Sequence, residues 1–516
     1  MTPPCWISWG GSAGRSRKSP PPSRGRECFS WTRPQQSGIT RRMGREPATT
    51  DKPKAPEKSD SGALVLSARA VALELLEAVL KKRKPLDEAL SEHGDLERLV
   101  NRDRQFVRAL VTCTLRHLGQ IDHVLAQCLE KPLPVRASAI RNILRLGTAQ
   151  TLFLKTPAHA AVDTMVTLAG KRGGEAGYKG LVNAVLRRIA READLFRQFA
   201  PGSGNFTGAI SLPDWLWQSW VKAYGVRQAT QIAIAHLEEP TLDFTVRRDP
   251  EHWAKMLGGE VLPGGSNQGG GTVRRPAHAP DSYRPSPRIE DLPGFAEGMW
   301  WVQDFGASLP VKLLVAAAGG SLAGLRALDM CAAPGGKSAQ LALAGAQVTA
   351  LDRSRKRLER VAENMKRLRF AVTCEVADAA LWRKAKDFDL VLLDAPCTAT
   401  GTIRRHPDVA WLKDPRDVAK LSASQDALID AALALAKPGG IILYCTCSLQ
   451  LEEGPERIAA ALKRHADLAR LPVKAEEVYG FKELVTPDGD LRSLPSHLPQ
   501  LGGIDGFYAA RLVKRA

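Results

Sequence analysis

No run of apolar residues in this chain reaches the ~18 that a membrane span needs. The longest, from about Leu313 to Leu325, is interrupted by glycines. The N-terminal stretch holds scattered arginines and prolines and no unbroken apolar segment, which argues against a secretory signal. Cysteine is sparse: Cys5, Cys28, Cys113, Cys128, Cys331, Cys374, Cys397, Cys445 and Cys447 are odd in number and irregularly spaced. That pattern argues against a secreted disulfide framework and for a reducing cytoplasm. No paired CxxC motifs and no Cys/His cluster with zinc spacing occur, so no metal site is expected. Acid is in deficit: 73 Lys and Arg stand against 55 Asp and Glu, a formal charge of +18. The excess favours a polyanionic partner, nucleic acid ahead of an acidic membrane surface.

The chain's 516 residues allow two or three domains. Residues 1–61 are rich in Ser, Pro, Gly and Arg without periodicity and read as a disordered basic tail, with Met43 an alternative start. From Ser67, a candidate helix cap, to about Glu192 the pattern is helical. Its apolar stripes run Val71, Leu75, Val79 and Leu80; Phe106, Val107, Leu110, Val111 and Leu118; Ile140, Ile143, Leu144 and Leu146; Val162, Met165, Val166 and Leu168; and Leu181, Val182, Val185 and Leu186. Such helices read as a compact bundle over 62–200. A connecting region over 201–299 holds Trp215, Trp217 and Trp220, expected to anchor a domain junction. A strand-like Leu242 to Arg247 follows, then a Gly/Pro-rich stretch at 262–288 that reads as a mobile insertion.

Over 300–516 short apolar strands alternate with helices. Strands are expected at 326–331, 346–351, 371–376, 388–393 and 440–446, and a helix from Leu421 to Ala436 that stops at Lys437-Pro438-Gly439-Gly440. This alternation predicts a doubly wound, mainly parallel α/β sheet of Rossmann-like class. In such sheets the ligand lies beyond the carboxyl ends of the strands. The first strand runs into Cys331-Ala332-Ala333-Pro334-Gly335-Gly336-Lys337, a glycine turn into a helix whose start favours a negative group. The second ends in Asp352, about 20 positions beyond the turn, where an acid can accept from ribose hydroxyls. The third leads to Asp378. Together these suit a nucleoside cofactor. Gly336-Lys337-Ser338 mimics a P-loop, but Cys331 stands where that motif needs glycine, and no G-x-G-x-x-G for a dinucleotide is present. The fourth strand ends in Asp394-Ala395-Pro396-Cys397 and the fifth in Cys445-Thr446-Cys447-Ser448. Two cysteines and an acid thus converge on the cofactor edge.

At these residues the chain resembles the RNA cytosine-5 methyltransferases of the NOL/NOP2/Sun superfamily. The matching motifs are Asp329 to Lys337, Asp394 to Cys397 and Thr446-Cys447-Ser448, supported by Val302-Gln303-Asp304, Lys437 to Gly440 and Asp505-Gly506-Phe507-Tyr508. Leu181 to Arg187 and Arg104 to Leu110 resemble the NusB-like domain of the bacterial Sun branch, which methylates small-subunit ribosomal RNA. The likeness covers about 62 to 516.

The resemblance implies an all-α NusB-like domain ahead of a class I methyltransferase domain that uses S-adenosylmethionine. Cys331, Ala332, Ala333, Pro334, Gly335, Gly336 and Lys337 would line the cofactor site, Asp352 would hold the ribose, and Asp378 would lie near the adenine. Asp394 would bridge cofactor and base. Cys447 would add to carbon 6 of cytosine, raising electron density at carbon 5 for attack on the methyl group, and Cys397 would help release the product. The implied partner is 16S ribosomal RNA or a small-subunit assembly intermediate, with no membrane and a monomeric enzyme. RNA would meet basic surfaces around Arg187, Arg188, Arg191, Arg404 and Arg405. Two alternatives stand beside this: the same reaction on transfer RNA or large-subunit RNA, and a NusB-like RNA-binding regulator. Glu452-Glu453-Gly454 carries glycine where the family usually has asparagine, and its acids are assigned no catalytic role. Strand alternation would put Cys445 and Cys447 on one face, which leaves open which thiol attacks.

Overall fold

The computed structural model describes residues 61–171, 177–197, 211–264, 270–276 and 288–515. The tail read at 1–61 lies outside these residues except for Ser61, where the first helix begins. That helix runs Ser61–Leu80, so Ser67 is inside it and is not its cap. The bundle continues through Asn101–Arg116, Leu118–Cys128, Ser138–Leu152, Ala158–Lys171 and Lys179–Arg191. Each apolar stripe faces one shared core: Val71, Leu75, Val107, Leu110, Ile140, Ile143, Met165, Val182 and Leu186 are all buried. The burial follows from the 3.6-residue period, which brings residues three and four apart onto one face.

The helix Asp214–Leu237 leads to a small antiparallel sheet of β1 (Leu242–Val246), β2 (Glu260–Val261), β3 (Gly271–Arg275) and β4 (Trp300–Val302), in the order β2-β3-β1-β4. β3 corrects the reading of 262–288 as a mobile insertion. It pairs with β1 along its length, and its Arg274 is buried. Alternation in β3 is hidden because Thr272, Val273 and Arg274 are all enclosed, and Arg274 is satisfied by distant partners. It donates to both Asp243 oxygens (2.7 and 2.5 Å) and to the carbonyls of Leu501 and Gly503. The remainder of that stretch, 265–269 and 277–287, lies outside the described residues. β4 belongs to this sheet too, so the parallel domain starts later than residue 300.

The large sheet contains β5 (Arg326–Asp329), β6 (Gln347–Asp352), β7 (Val372–Val376), β8 (Phe388–Asp394), β9 (Ala436–Thr446), β10 (Leu468–Arg470) and β12 (Phe507–Lys514), ordered β10-β12-β9-β8-β5-β6-β7, while β11 (Leu491–Ser493) pairs with β12. β7, β6, β5, β8 and β9 are mutually parallel, and β12 returns antiparallel beside β9. The expected doubly wound sheet is therefore present. Chain order reverses between β5 and β8, which places the switch point, and the crevice it opens, at Asp329 and Asp394. Lys437 to Gly440 does not lie outside the strand as a helix stop: β9 absorbs it, with a register shift against β8 between Phe388 and Leu390. Apolar cores flank the two faces of the sheet.

Candidate active site

The turn after β5 is held by its backbone. Met330 N–H donates to Leu392 O of β8, Ala332 N–H to Leu351 O of β6, and Gly335 N–H to Ala332 O (2.7 Å). Gly335 takes φ 105°, a conformation that L side chains rarely adopt, and opens the helix Gly336–Leu343. Arg357 and Asn364 donate to the carbonyls of Ala333 and Pro334 and pin the outer side of the turn. Asp352 ends β6, is buried, and accepts from Ser354 N–H at 2.9 Å, with Arg357 Nη1 3.5 Å away. Asp378 is exposed beyond β7 and accepts from Ala380 N–H. Asp329 accepts from Ser338 Oγ (2.6 Å), but its Oδ1 is buried without a partner, and burial pushes this carboxyl up to about 7.

Lys337 turns inward from that helix. Its Nζ lies 2.7 Å from Asp394 Oδ2 and 5.1 Å above the Phe507 ring. Burial opposes the ammonium's charge, yet Asp394, Cys445 and Cys447 outweigh it and hold the group above the usual lysine range. Cys445 Sγ donates to Asp394 Oδ1 at 3.5 Å. Cys397 and Cys447 face each other with sulfurs 3.5 Å apart.

The two candidate attacking thiols differ in setting. β9 ends at Thr446, so strand alternation does not extend to Cys447, which is half-buried at the site. Cys445 is fully buried in the sheet, and burial, followed by the charge of Asp394, pushes its thiol well above the ordinary value.

The Cys397 loop is fixed by long-range partners. Gly401 N–H donates to Cys447 O, and Gly506 N–H donates to Gly401 O. A Cβ on Gly401 would meet Gly506 O at 2.0 Å, so only glycine fits. Arg404 donates to Asp304 (2.9 Å) and Asp505 (2.5 Å), and Arg405 pairs with the same two carboxylates. This corrects the expectation that these arginines meet RNA. Arg404's side chain is 4% exposed and Arg405's 19%, and their charges are consumed inside the protein. Arg187 and Arg191 are exposed on the helical domain and Arg188 is half-buried.

Sequence reasoning passed over Glu453. It is buried behind both cysteine loops and accepts from Thr398, Ser448 and Gln425. The paired acids Glu452-Glu453 were visible, but the only signal of Glu453's place is its contact with a loop 55 residues earlier. Among the described residues no group of three or more His, Cys, Asp or Glu could hold a metal, and no helix is long and apolar enough to cross a membrane.

With this doubly wound sheet and glycine-bearing turn, the family matches make the chain an S-adenosylmethionine-dependent methyltransferase with an N-terminal NusB domain. The sequence profile of the 16S rRNA methyltransferase RsmB/F family matches residues 323–513, and that of the NusB family residues 66–191. The ribosomal RNA small subunit methyltransferase B of Erwinia tasmaniensis is 33% identical over 460 residues, covering 87% of this chain and 98% of that protein. This chain belongs to the ribosomal RNA small subunit methyltransferase B family. The same protein of Pseudomonas putida is 35% identical, covering 87% and 99% of the two chains. The crystal structure of PH0851 shares the fold, with a TM-score of 0.61 at 21% identity over 87% of this chain and 99% of that one.

The residues present fit S-adenosylmethionine. The helix start at Gly336 supplies backbone donors for a carboxylate, the unpartnered Asp329 oxygen is an acceptor, and Asp352 and Asp378 are acids at consecutive strand ends.

Proposed function

We propose that the chain methylates carbon 5 of a cytosine in 16S ribosomal RNA through a covalent bond between Cys447 and carbon 6. The observation that carries this reading is the pair of thiols 3.5 Å apart, on adjacent strand-end loops, beside the Lys337–Asp394 pair. Residues 331–337 would cradle the cofactor, with Asp352 toward the ribose and Asp378 toward the adenine. S-adenosylmethionine supplies the electrophilic methyl group.

Carbon 5 of cytosine is too weak a nucleophile by itself, and a thiolate at carbon 6 activates it. The accessible Cys447 suits that attack better than Cys445, which is enclosed and bonded to Asp394. The Lys337 ammonium stands by as counter-charge. Asp394 holds the base nitrogen by hydrogen bond, and Lys337 and Cys445 fix its two oxygens. After methyl transfer the carbon 5 proton must leave and the carbon 6–sulfur bond must break. In one concerted exchange the Cys397 thiol gives its proton to the departing Cys447 sulfur while the Cys397 sulfur so freed takes the carbon 5 proton, so that both cysteines end as thiols. The target base must leave its stack to reach this edge, as bases in loops and helix ends do readily. The names of the relatives, given for the small ribosomal subunit, support this choice of substrate.

The test is to separate the thiols. Cys447→Ala is expected to abolish methylation and form no RNA adduct. Cys397→Ala is expected to attack and then stall, giving an RNA-linked band that survives denaturing electrophoresis and vanishes on RNase treatment. Swapped behaviour reverses the roles. Loss of activity in Cys445→Ala with no adduct in either other variant moves the nucleophile to Cys445. Bisulfite mapping of ribosomal RNA from a deletion strain distinguishes 16S from transfer or large-subunit RNA.

A further inference from the structure

Beside the two thiols stands a buried carboxylate that the chemistry above does not use. Glu453 is fully buried beneath both cysteine loops. Its Oε1 accepts from Thr398 N–H (3.0 Å) and Gln425 Nε2 (3.2 Å), and its Oε2 from Ser448 Oγ (2.6 Å) and the Thr398 hydroxyl. Thr398 follows Cys397 and Ser448 follows Cys447, so one carboxylate grips the residue after each thiol. The two hydroxyls also meet each other at 3.1 Å. Gln425 extends the grip by donating to the carbonyl of Pro396, the residue before Cys397. Four donors converge on Glu453, which suits a carboxylate with about four lone-pair sites and exceeds the two of an amide oxygen.

We propose that Glu453 is a positioning residue of this site, clamping the two loops so that Cys397 and Cys447 keep the separation their proton exchange needs. The inference rests on the roles given to those cysteines above. The clamp's charge has a second effect. The hydrogen bond with Cys447, then burial, then the charges of Cys447 and Glu453 hold the Cys397 thiol well above its ordinary pKa. A Cys397 that stays a thiol leaves the attack to Cys447 and retains the proton that the departing sulfur takes. The other titratable or charged groups facing this cluster are Lys337, which acts on Cys447 and is paired with Asp394, Cys445 beside that pair, Tyr444, whose hydroxyl donates to Glu453 O, and Arg492, which donates to Ser448 O. None of these contacts the Glu453 carboxylate, whose partners are Thr398, Ser448 and Gln425, so Glu453 can be neutralised without touching the Lys337–Asp394 pair.

The test reads thiol chemistry without RNA. Iodoacetamide alkylation of Cys397, followed by mass spectrometry across pH, is compared in Cys447→Ala and Cys447→Ala/Glu453→Gln proteins. Removing a negative charge a few ångströms away is expected to lower the alkylation midpoint by about one pH unit or more. An unmoved midpoint in a folded double variant overturns the charge effect. Thr398→Val and Ser448→Ala each remove one strap and keep the charge, so they decide the case if Glu453→Gln does not fold. In these variants diamide is used to close the Cys397–Cys447 disulfide, two thiols giving two electrons and two protons to the diazene, which becomes the hydrazine. Loosened loops should close about tenfold more slowly or worse, with the Cys397 midpoint little changed. Closure at the native rate overturns the clamp. If thiol readouts move as expected while Cys397→Ala traps no RNA, the clamp stands and the assigned reaction falls.

Discussion

Asp352 and Arg404 are both buried charged residues, and their partners assign them opposite tasks. Asp352 ends a strand at the open edge and is held by Ser354 N–H. Asp352→Ala is expected to weaken S-adenosylmethionine binding by about 1.5–3 kcal/mol, the worth of charge-assisted hydrogen bonds to a ribose. Calorimetry beside a melting curve checks it: unchanged affinity in the folded variant removes Asp352 from the site. Arg404 instead joins Asp304 to Asp505 in the interior. Arg404→Ala strands buried carboxylates, so a loss of about 3–5 kcal/mol of stability is expected. The affinity for RNA per folded molecule should not change. Burial opposes the Asp304 charge, but Arg405, Arg404 and Arg274 prevail and hold its carboxyl below the usual range. That stabilisation is therefore present above the unfolded aspartate value of about 3.9 and is lost as pH falls toward the folded value. Acid unfolding of Arg404→Ala should begin at a higher pH than that of the native protein. Asp352, Asp394, Cys397 and Cys447 were legible because each lies at the end of a local apolar run or within three residues of it. The fate of Arg404 was not, since its partner Asp505 lies 101 residues away and no local pattern records the pairing.

At the scale of elements, one tryptophan of the helix Asp214–Leu237 reaches the loop that follows β9. Trp220 is buried, and its Nε1 donates to Gln450 Oε1 at 2.8 Å. Gln450 donates its own backbone N–H to Ser448 Oγ, beside Cys447, and its side chain to Ser219. The connecting helix therefore braces the loop of the proposed nucleophile. The helical domain braces the other loop: Arg116 donates to Arg404 O, Trp411 Nε1 to Leu115 O, and Leu86 N–H to Asp408. Trp220→Phe leaves the buried Gln450 oxygen without its donor and should lower stability by about 1–3 kcal/mol, with a fall in methylation rate. In a double-mutant cycle with Gln450→Ala the two changes should couple by at least about 0.5 kcal/mol. Additive effects would mean that the contact does not transmit to the loop. The apolar period announced these helices, but β3 escaped notice because glycines precede it, a proline follows it and its enclosed Arg274 reads as a surface charge.

For the whole molecule, the +18 charge requires a location now that Arg404 and Arg405 are consumed internally. The helical domain carries the exposed Arg187 and Arg191 on its helix Lys179–Arg191. Arg191 also lines a surface cavity of about 610 Å³ with Lys155, Arg197 and Asp194. Arg187 lies 3.9 Å from Asp163, too loose a pair at its exposure to neutralise it. If this face grips phosphates, each arginine lost releases one fewer counterion. Arg187→Ala/Arg191→Ala should then weaken RNA binding at low salt and make the slope of log affinity against log salt shallower by about 0.7–0.9 per residue. Stability should move by less than about 0.5 kcal/mol per exposed site. Arg404→Ala supplies the opposite control, losing stability while the slope stays as it was. Filter binding between 50 and 200 mM salt, a range over which phosphate contacts dominate, reads both. A native slope in the double variant would take RNA off this face of the bundle and leave the contacts to the catalytic domain.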